Sequence, residues 1–307
     1  MWRNVPSPEF LRLRTALERN RRPPGEVDVW GFRIALERSA FPVAEDVRVE
    51  PAQIGGVPGA WLSPSCRRDD RAVLYLHGGG YVMGSPTTHG RLAGDIAIAV
   101  GVPVFVADYR LAPEHPFPAA LDDAVRAYRW LRGRFGSDSI AVVGDSSGGG
   151  LTVATLLAIR DRGWPQPAAA ACLSPWLDLS LTTHHDQSLA ALDPISSRHE
   201  MAQFAAAYLN GVDAEMPLAS PLFADLGGLP PLLVQVGSAE LGLPEARLFT
   251  ERARAAGVDA TLEVWLDMVH VWHAFAARVP EAAAAVERVG SYLRDRFDQE
   301  PPITDRS

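Results

Sequence analysis

Apolar residues follow two spacings along this chain. Short continuous runs at Ala72–Leu76, Val102–Ala107, Ile140–Val143, Ala168–Leu173 and Leu232–Val236 read as strands buried on both faces. Longer stretches with helical spacing separate them: His89–Val100, Pro118–Phe135, Ser147–Arg160, Glu245–Ala256 and Glu281–Phe297. Val47–Glu50 and Ala60–Leu62 read as short strands around a Gly/Pro turn, and Ala260–Trp265 as the last strand. The alternation predicts an α/β fold, a mainly parallel sheet with helices on both faces.

Two stretches break the rhythm. Residues 1–45 look helical and amphipathic, interrupted by Arg22-Pro23-Pro24-Gly25. Residues 183–215 lie between two strands and hold Asp193-Pro194, then Ser197-Arg198-His199-Glu200, the spacing of a capping box at a helix start. An insertion between strands is a natural lid. The expected division is therefore 1–45 as an N-terminal helical part of a cap, 183–215 as an inserted cap helix, and 46–182 with 216–307 as the α/β domain.

Composition narrows the function classes. Apolar content of 47% and charged content of 21% suit a globular protein, and a net charge of −8 argues against nucleic acid as a partner. The arginine-bearing start lacks the apolar core of a signal peptide, and no run approaches the length of a spanning helix. A cytoplasmic location with no membrane partner is the expectation, and the chain is compatible with a homodimer. Cys66 and Cys172 make neither a disulfide framework nor a metal site, and Cys172 sits in an apolar run that reads as buried strand. The chain has no lysine; all 29 basic residues are arginines. That excludes Schiff-base chemistry, a Walker-A loop and a Ser-Lys dyad, so any serine nucleophile needs a histidine as its base.

The chemistry begins where the strand Ile140–Val143 runs into Gly144-Asp145-Ser146-Ser147-Gly148, with a helix just beyond. G-x-S-x-G between strand and helix is a nucleophile elbow, with the serine lifted to the C-terminal edge of the sheet. The competing reading is a glycine-rich turn with an idle serine. His77-Gly78-Gly79-Gly80-Tyr81 ends another strand, and its glycines free backbone N–H groups to face a cavity. Acyl transfer needs such donors; Gly79 and Gly80, with the amide of Ser147, are the candidates. His77 reads as structural. Among eight histidines, His184 and His185 look solvated and His115 lies in a Pro-rich loop. His270 and His273 follow the last strand, and His270, directly after the turn, is the preferred base. The acid should fall between serine and histidine in chain order. Glu240, in Gly237-Ser238-Ala239-Glu240, meets that condition; Asp267 is its rival. A His-x-x-His metal site is disfavoured, since no Glu accompanies the pair in the zincin pattern.

Together these runs, with Tyr109-Arg110-Leu111-Ala112-Pro113-Glu114-His115 and Asp193-Pro194-Ile195, resemble the hormone-sensitive-lipase-like group of α/β-hydrolase esterases, the bacterial family IV. The resemblance extends from about residue 45 onward. It implies Ser146 as nucleophile, His270 as base, Gly79, Gly80 and Ser147 as oxyanion hole, and a cap built from the N-terminal helices and the insertion. It implies a small ester of short-to-medium acyl length as substrate, with no cofactor or metal. Two positions depart from the family pattern. Ser147 stands where alanine is commoner, and Ala239-Glu240 stands where the family usually places its aspartate. Trp2, Trp30 and Trp176 read either as core or as narrowing the pocket. A non-catalytic receptor on the same scaffold, like the plant gibberellin receptors that lack the histidine, is the alternative class; His270 argues against it. An amide or other hydrolase is the third.

Overall fold

The structure, a computed structural model, describes residues 6–21, 25–184 and 186–299. Trp2, His185 and most of the Arg22-Pro23-Pro24-Gly25 interruption fall outside them. Eight strands form one sheet: β1 (Val47–Ile54), β2 (Val57–Pro64), β3 (Ala72–Leu76), β4 (Val104–Ala107), β5 (Ile140–Asp145), β6 (Ala169–Leu173), β7 (Leu232–Gly237) and β8 (Ala260–Trp265). Their order is β1-β2-β4-β3-β5-β6-β7-β8. The pairs β1–β2 and β2–β4 are antiparallel, and all others are parallel. This is an α/β-hydrolase fold.

The burial of each strand explains its sequence. Strands β3 to β7 are fully buried, hence their unbroken apolar runs. Strands β1 and β2 form a partly solvated hairpin and extend further than the short apolar segments predict. Helices α3 (Pro86–Val100) and α9 (Pro280–Phe297) cover one face, and α4 (Ala119–Phe135), α5 (Ser147–Asp161) and α8 (Leu243–Ala255) the other. Helix α3 begins at Pro86 rather than near His89, because Ser85 and Thr88 exchange a capping box and Pro86 takes the first turn. A side chain at Gly290 would meet the Ala99 backbone at 2.6 Å, so glycine sets the close approach of α9 to α3.

The remaining helices are the N-terminal α1 (Pro8–Arg19) and α2 (Val29–Arg38) and the inserted α6 (Gln187–Leu192) and α7 (Arg198–Leu209). They hold one another through Gln203, which accepts from the Val27 amide at 2.8 Å and donates to the Gly25 carbonyl at 3.0 Å, and through Phe32 set edge-on against Phe204. Arg33 of α2 donates to the Val82 and Ala112 carbonyls at 2.6 and 2.8 Å and pairs with Glu114. The start of α1 is tied to α9 instead, since Glu281 accepts from both the amide and the hydroxyl of Ser7. Helix α7 does start after Ser197, but the Ser197 side chain makes no cap hydrogen bond, so the expected capping box does not form.

Candidate active site

The elbow follows from two close approaches. Strand β5 turns into α5 so sharply that a side chain at Gly144 would sit 2.2 Å from the Gly148 carbonyl, and one at Gly148 would sit 2.0 Å from that of Leu76. Ser146 at the apex has φ 53° and ψ −123°, a conformation L-residues rarely adopt. Such strain costs about 1–3 kcal/mol and persists only where the surroundings over-determine it. Here they do: the Ser146 amide donates to the Leu173 carbonyl at 2.9 Å, and the Ser146 carbonyl accepts from Trp176 at 2.9 Å. The hydroxyl is left facing the C-terminal edge of the sheet.

There it meets His270. Ser146 Oγ lies 2.9 Å from His270 Nε2, and His270 Nδ1 lies 3.0 Å from Glu240 Oε2. The carboxylate partner fixes the tautomer: Nδ1–H donates to Glu240 and Nε2 accepts from the serine hydroxyl. Glu240 is buried, and its other oxygen accepts from the Gly237 amide at 2.6 Å and the Ser174 hydroxyl at 2.7 Å. Burial drags the His270 pKa down, but the hydrogen bond and charge of Glu240 outweigh it, with Asp193 and Asp145 adding, so the net shift is upward. Burial also raises Glu240 above the ordinary carboxylate range, against the pull of His270.

The other histidines separate cleanly. His273 is buried with Nε2 on the Gln235 side-chain oxygen at 3.0 Å, and burial drops its pKa to about 3. His77 is likewise buried at about 3, bonds the Gly78 carbonyl through Nδ1 and stacks on Tyr109 with ring centroids 4.1 Å apart. His184 is not solvated as expected. It is buried, with Nε2 2.8 Å from Glu245, a carboxylate that helix α8 carries into the interior. Asp267 makes no hydrogen bond or ion pair with His270 among the described residues; its amide donates to Ser238 Oγ.

Strands β3 and β5 are parallel neighbours, with Leu76 opposite Gly144, so the loop after β3 emerges beside the elbow. Gly79 and Gly80 take φ 114° and 63° there. Asp145 anchors this loop: its Oδ1 accepts from the Gly78 amide at 3.0 Å and from the Tyr75 hydroxyl at 2.6 Å. Although burial opposes it, His89 and Tyr75 hold the Asp145 carboxyl at about 2. The amides of Gly79, Gly80 and Ser147 donate to no protein acceptor among the described residues. Ser147 Oγ accepts from the Tyr81 amide at 3.3 Å. Trp176 is buried and donates its indole N–H to the Asp178 carbonyl, whereas Trp30 is exposed beneath the Arg33 guanidinium. No cluster able to hold a metal occurs among the described residues. A cavity of about 550 Å³ lies between the start of α1, β8 and the start of α9, and its lining includes none of Ser146, Glu240 and His270.

Two residues escape the sequence reading. Ser174 bonds Glu240, and Asp193 accepts the Leu241 amide next to the acid at 3.1 Å. The signal for Ser174 is a polar residue directly after a fully apolar strand, at the edge where the elbow opens. Asp193 stands in the Asp193-Pro194-Ile195 run that carries the family resemblance, but nothing in that run points to the Glu240 loop.

A family of the α/β-hydrolase fold matches residues 73–274. An acetyl-hydrolase of Streptomyces hygroscopicus is 41% identical over 293 residues, 94% of this chain and 97% of that one. An esterase of the bacterial hormone-sensitive lipase family superposes with a TM-score of 0.91 at 46% identity, covering 95% of this chain and 99% of the other. This chain belongs to that family. It is a carboxylesterase of the serine hydrolase type. The esterase EstE5, soaked with p-nitrophenyl butyrate, is 44% identical with a TM-score of 0.93, covering 95% and 100% of the two chains. EstE5 is also known in a PMSF form. No helix among the described residues is long and apolar enough to cross a membrane.

Proposed function

We propose that the chain hydrolyses short-to-medium acyl esters through Ser146, His270 and Glu240. The observation that carries this reading is the unbroken series Ser146 Oγ–His270 Nε2 at 2.9 Å and His270 Nδ1–Glu240 Oε2 at 3.0 Å. Ser146 attacks the ester carbonyl while His270 takes its proton, and Glu240 stabilises the imidazolium. The tetrahedral oxyanion forms against the amides of Gly79, Gly80 and Ser147, whose lack of protein acceptors leaves them available. His270 returns the proton to the departing alcohol, giving an acyl-enzyme. Water then repeats the sequence and releases the acid. The substrate class is supported by the kinship with an acetyl-hydrolase and with an esterase soaked with a butyrate ester. Helices α1, α2, α6 and α7 act as the cap.

The test is a panel of p-nitrophenyl esters from acetate to palmitate with wild type and Ser146→Ala. Wild type turns over the short and medium esters best, and Ser146→Ala loses about 10⁶-fold in kcat. Undiminished hydrolysis by Ser146→Ala contradicts the mechanism.

A further inference from the structure

Ser174 stands at the end of β6 with φ 46°, the left-handed region that costs a residue with a Cβ. Its amide extends the sheet ladder to the Gln235 carbonyl at 2.7 Å, which fixes the backbone and aims the buried side chain across the sheet edge. The hydroxyl then does two things at once. It donates to Glu240 Oε1 at 2.7 Å and accepts from the Val271 amide at 3.1 Å. Val271 directly follows His270 and itself has φ 47°, a conformation a β-branched residue resists. One oxygen therefore ties the carboxylate that orients the imidazole to the strained backbone that carries it.

The geometry points to Ser174 as a positioning residue that sets the acid and the base in register, a role resting on the Ser146–His270–Glu240 reading above. The hydroxyl uses its proton on the acid and a lone pair on the base loop, so neither apolar nor donor-only side chains reproduce it. Without it the Val271 amide is left without its acceptor, and the His270 loop loses the contact that offsets its strain. Glu240 Oε1 then keeps only the Gly237 amide, so the carboxylate can rotate and carry Oε2 out of line with His270 Nδ1. The expected consequence is misalignment of His270, which touches the chemical step and not the binding of ester.

Two variants separate hydroxyl from backbone. Ser174→Gly accepts the left-handed conformation without strain, whereas Ser174→Ala keeps the strain and removes only the oxygen. Both are expected to lower kcat by roughly 10–100-fold with KM little changed, because small misplacements of catalytic groups cost about that much. Both should also broaden or shift the far-downfield NMR proton of the His270–Glu240 hydrogen bond. A Ser174→Gly enzyme with wild-type kcat and an unchanged downfield proton overturns the inference, and so does a KM rise that accounts for the whole loss. Ser146→Ala, assayed in parallel, keeps the two readings apart. If it stays active, the triad fails. If it is inactive while Ser174→Gly behaves as wild type, only the role of Ser174 fails.

Discussion

Two histidines of the described residues, His270 and His184, are each paired with a buried glutamate, and only one faces a nucleophile. His270–Glu240 and His184–Glu245 have similar N–O separations, 3.0 and 2.8 Å, and their carboxylates are five residues apart in sequence. Burial raises both carboxyls above their ordinary range. What differs is the nitrogen used. His270 gives Nδ1 to its glutamate and keeps Nε2 for Ser146. His184 spends Nε2 on Glu245, and its Nδ1 faces the neighbouring Thr183 hydroxyl at 3.2 Å. The side chain of His270 remains 17% exposed, enough for a substrate to reach it, whereas that of His184 is sealed at 1%. A buried histidine–carboxylate contact is thus no sign of catalysis in itself; a free, reachable nitrogen beside a nucleophile is.

The largest effect that sharpens this contrast comes from the acids. Glu240→Gln should lower kcat by about 10⁴-fold, as when the acid of a triad becomes an amide and the imidazole tautomer is wrong. Asp267→Asn should leave kcat within about tenfold, since Asp267 makes no hydrogen bond to His270. Steady-state kinetics on one p-nitrophenyl ester decides, and the reverse ranking reassigns the acid.

The second pair should fail differently. Removing one partner of a buried pair leaves the other uncompensated and costs about 3–5 kcal/mol. His184→Ala should therefore lower the unfolding midpoint in urea markedly while kcat changes far less than in Glu240→Gln. Equal losses of stability and turnover in both variants would erase the distinction.

The smallest effect is a shift in pH dependence. His270 must be neutral to accept the serine proton, and its pKa is raised in the folded protein, chiefly by Glu240 acting against burial. Activity should therefore rise with pH through a limb above the ordinary imidazole value of about 6.5. In Glu240→Gln the raising influence is gone while burial remains, so the residual activity should show that limb at lower pH. A wild-type limb below the ordinary value contradicts this sign.

Much of the architecture was legible because burial and periodicity coincide. Strands β3, β5, β6 and β7 are sealed on both faces, so their apolar runs could not be read as anything solvent-facing. The hairpin β1–β2 extends past its apolar segments because it is only partly buried and its outer residues include Pro51, Gln53 and Pro58. The elbow was legible because close backbone approach demands glycine at fixed offsets. His184 was misread because its partner lies 61 residues away and a glutamate in the first turn of α8 looks like a surface charge. Ser174 was silent for a related reason. Its function depends on two loops that only the sheet brings together, and a lone serine carries no spacing.

On the proposed mechanism Nε2 of His270, and no other histidine nitrogen, activates Ser146. Covalent labelling with PMSF, read by peptide mass mapping and by the rate of modification, tests it without depending on a chosen substrate. A single sulfonyl adduct on Ser146 is expected in wild type, formed at a similar rate in folded His184→Ala and slowed by orders of magnitude in His270→Ala. An adduct on another residue, or equal labelling of Ser146 in wild type and His270→Ala, would contradict it.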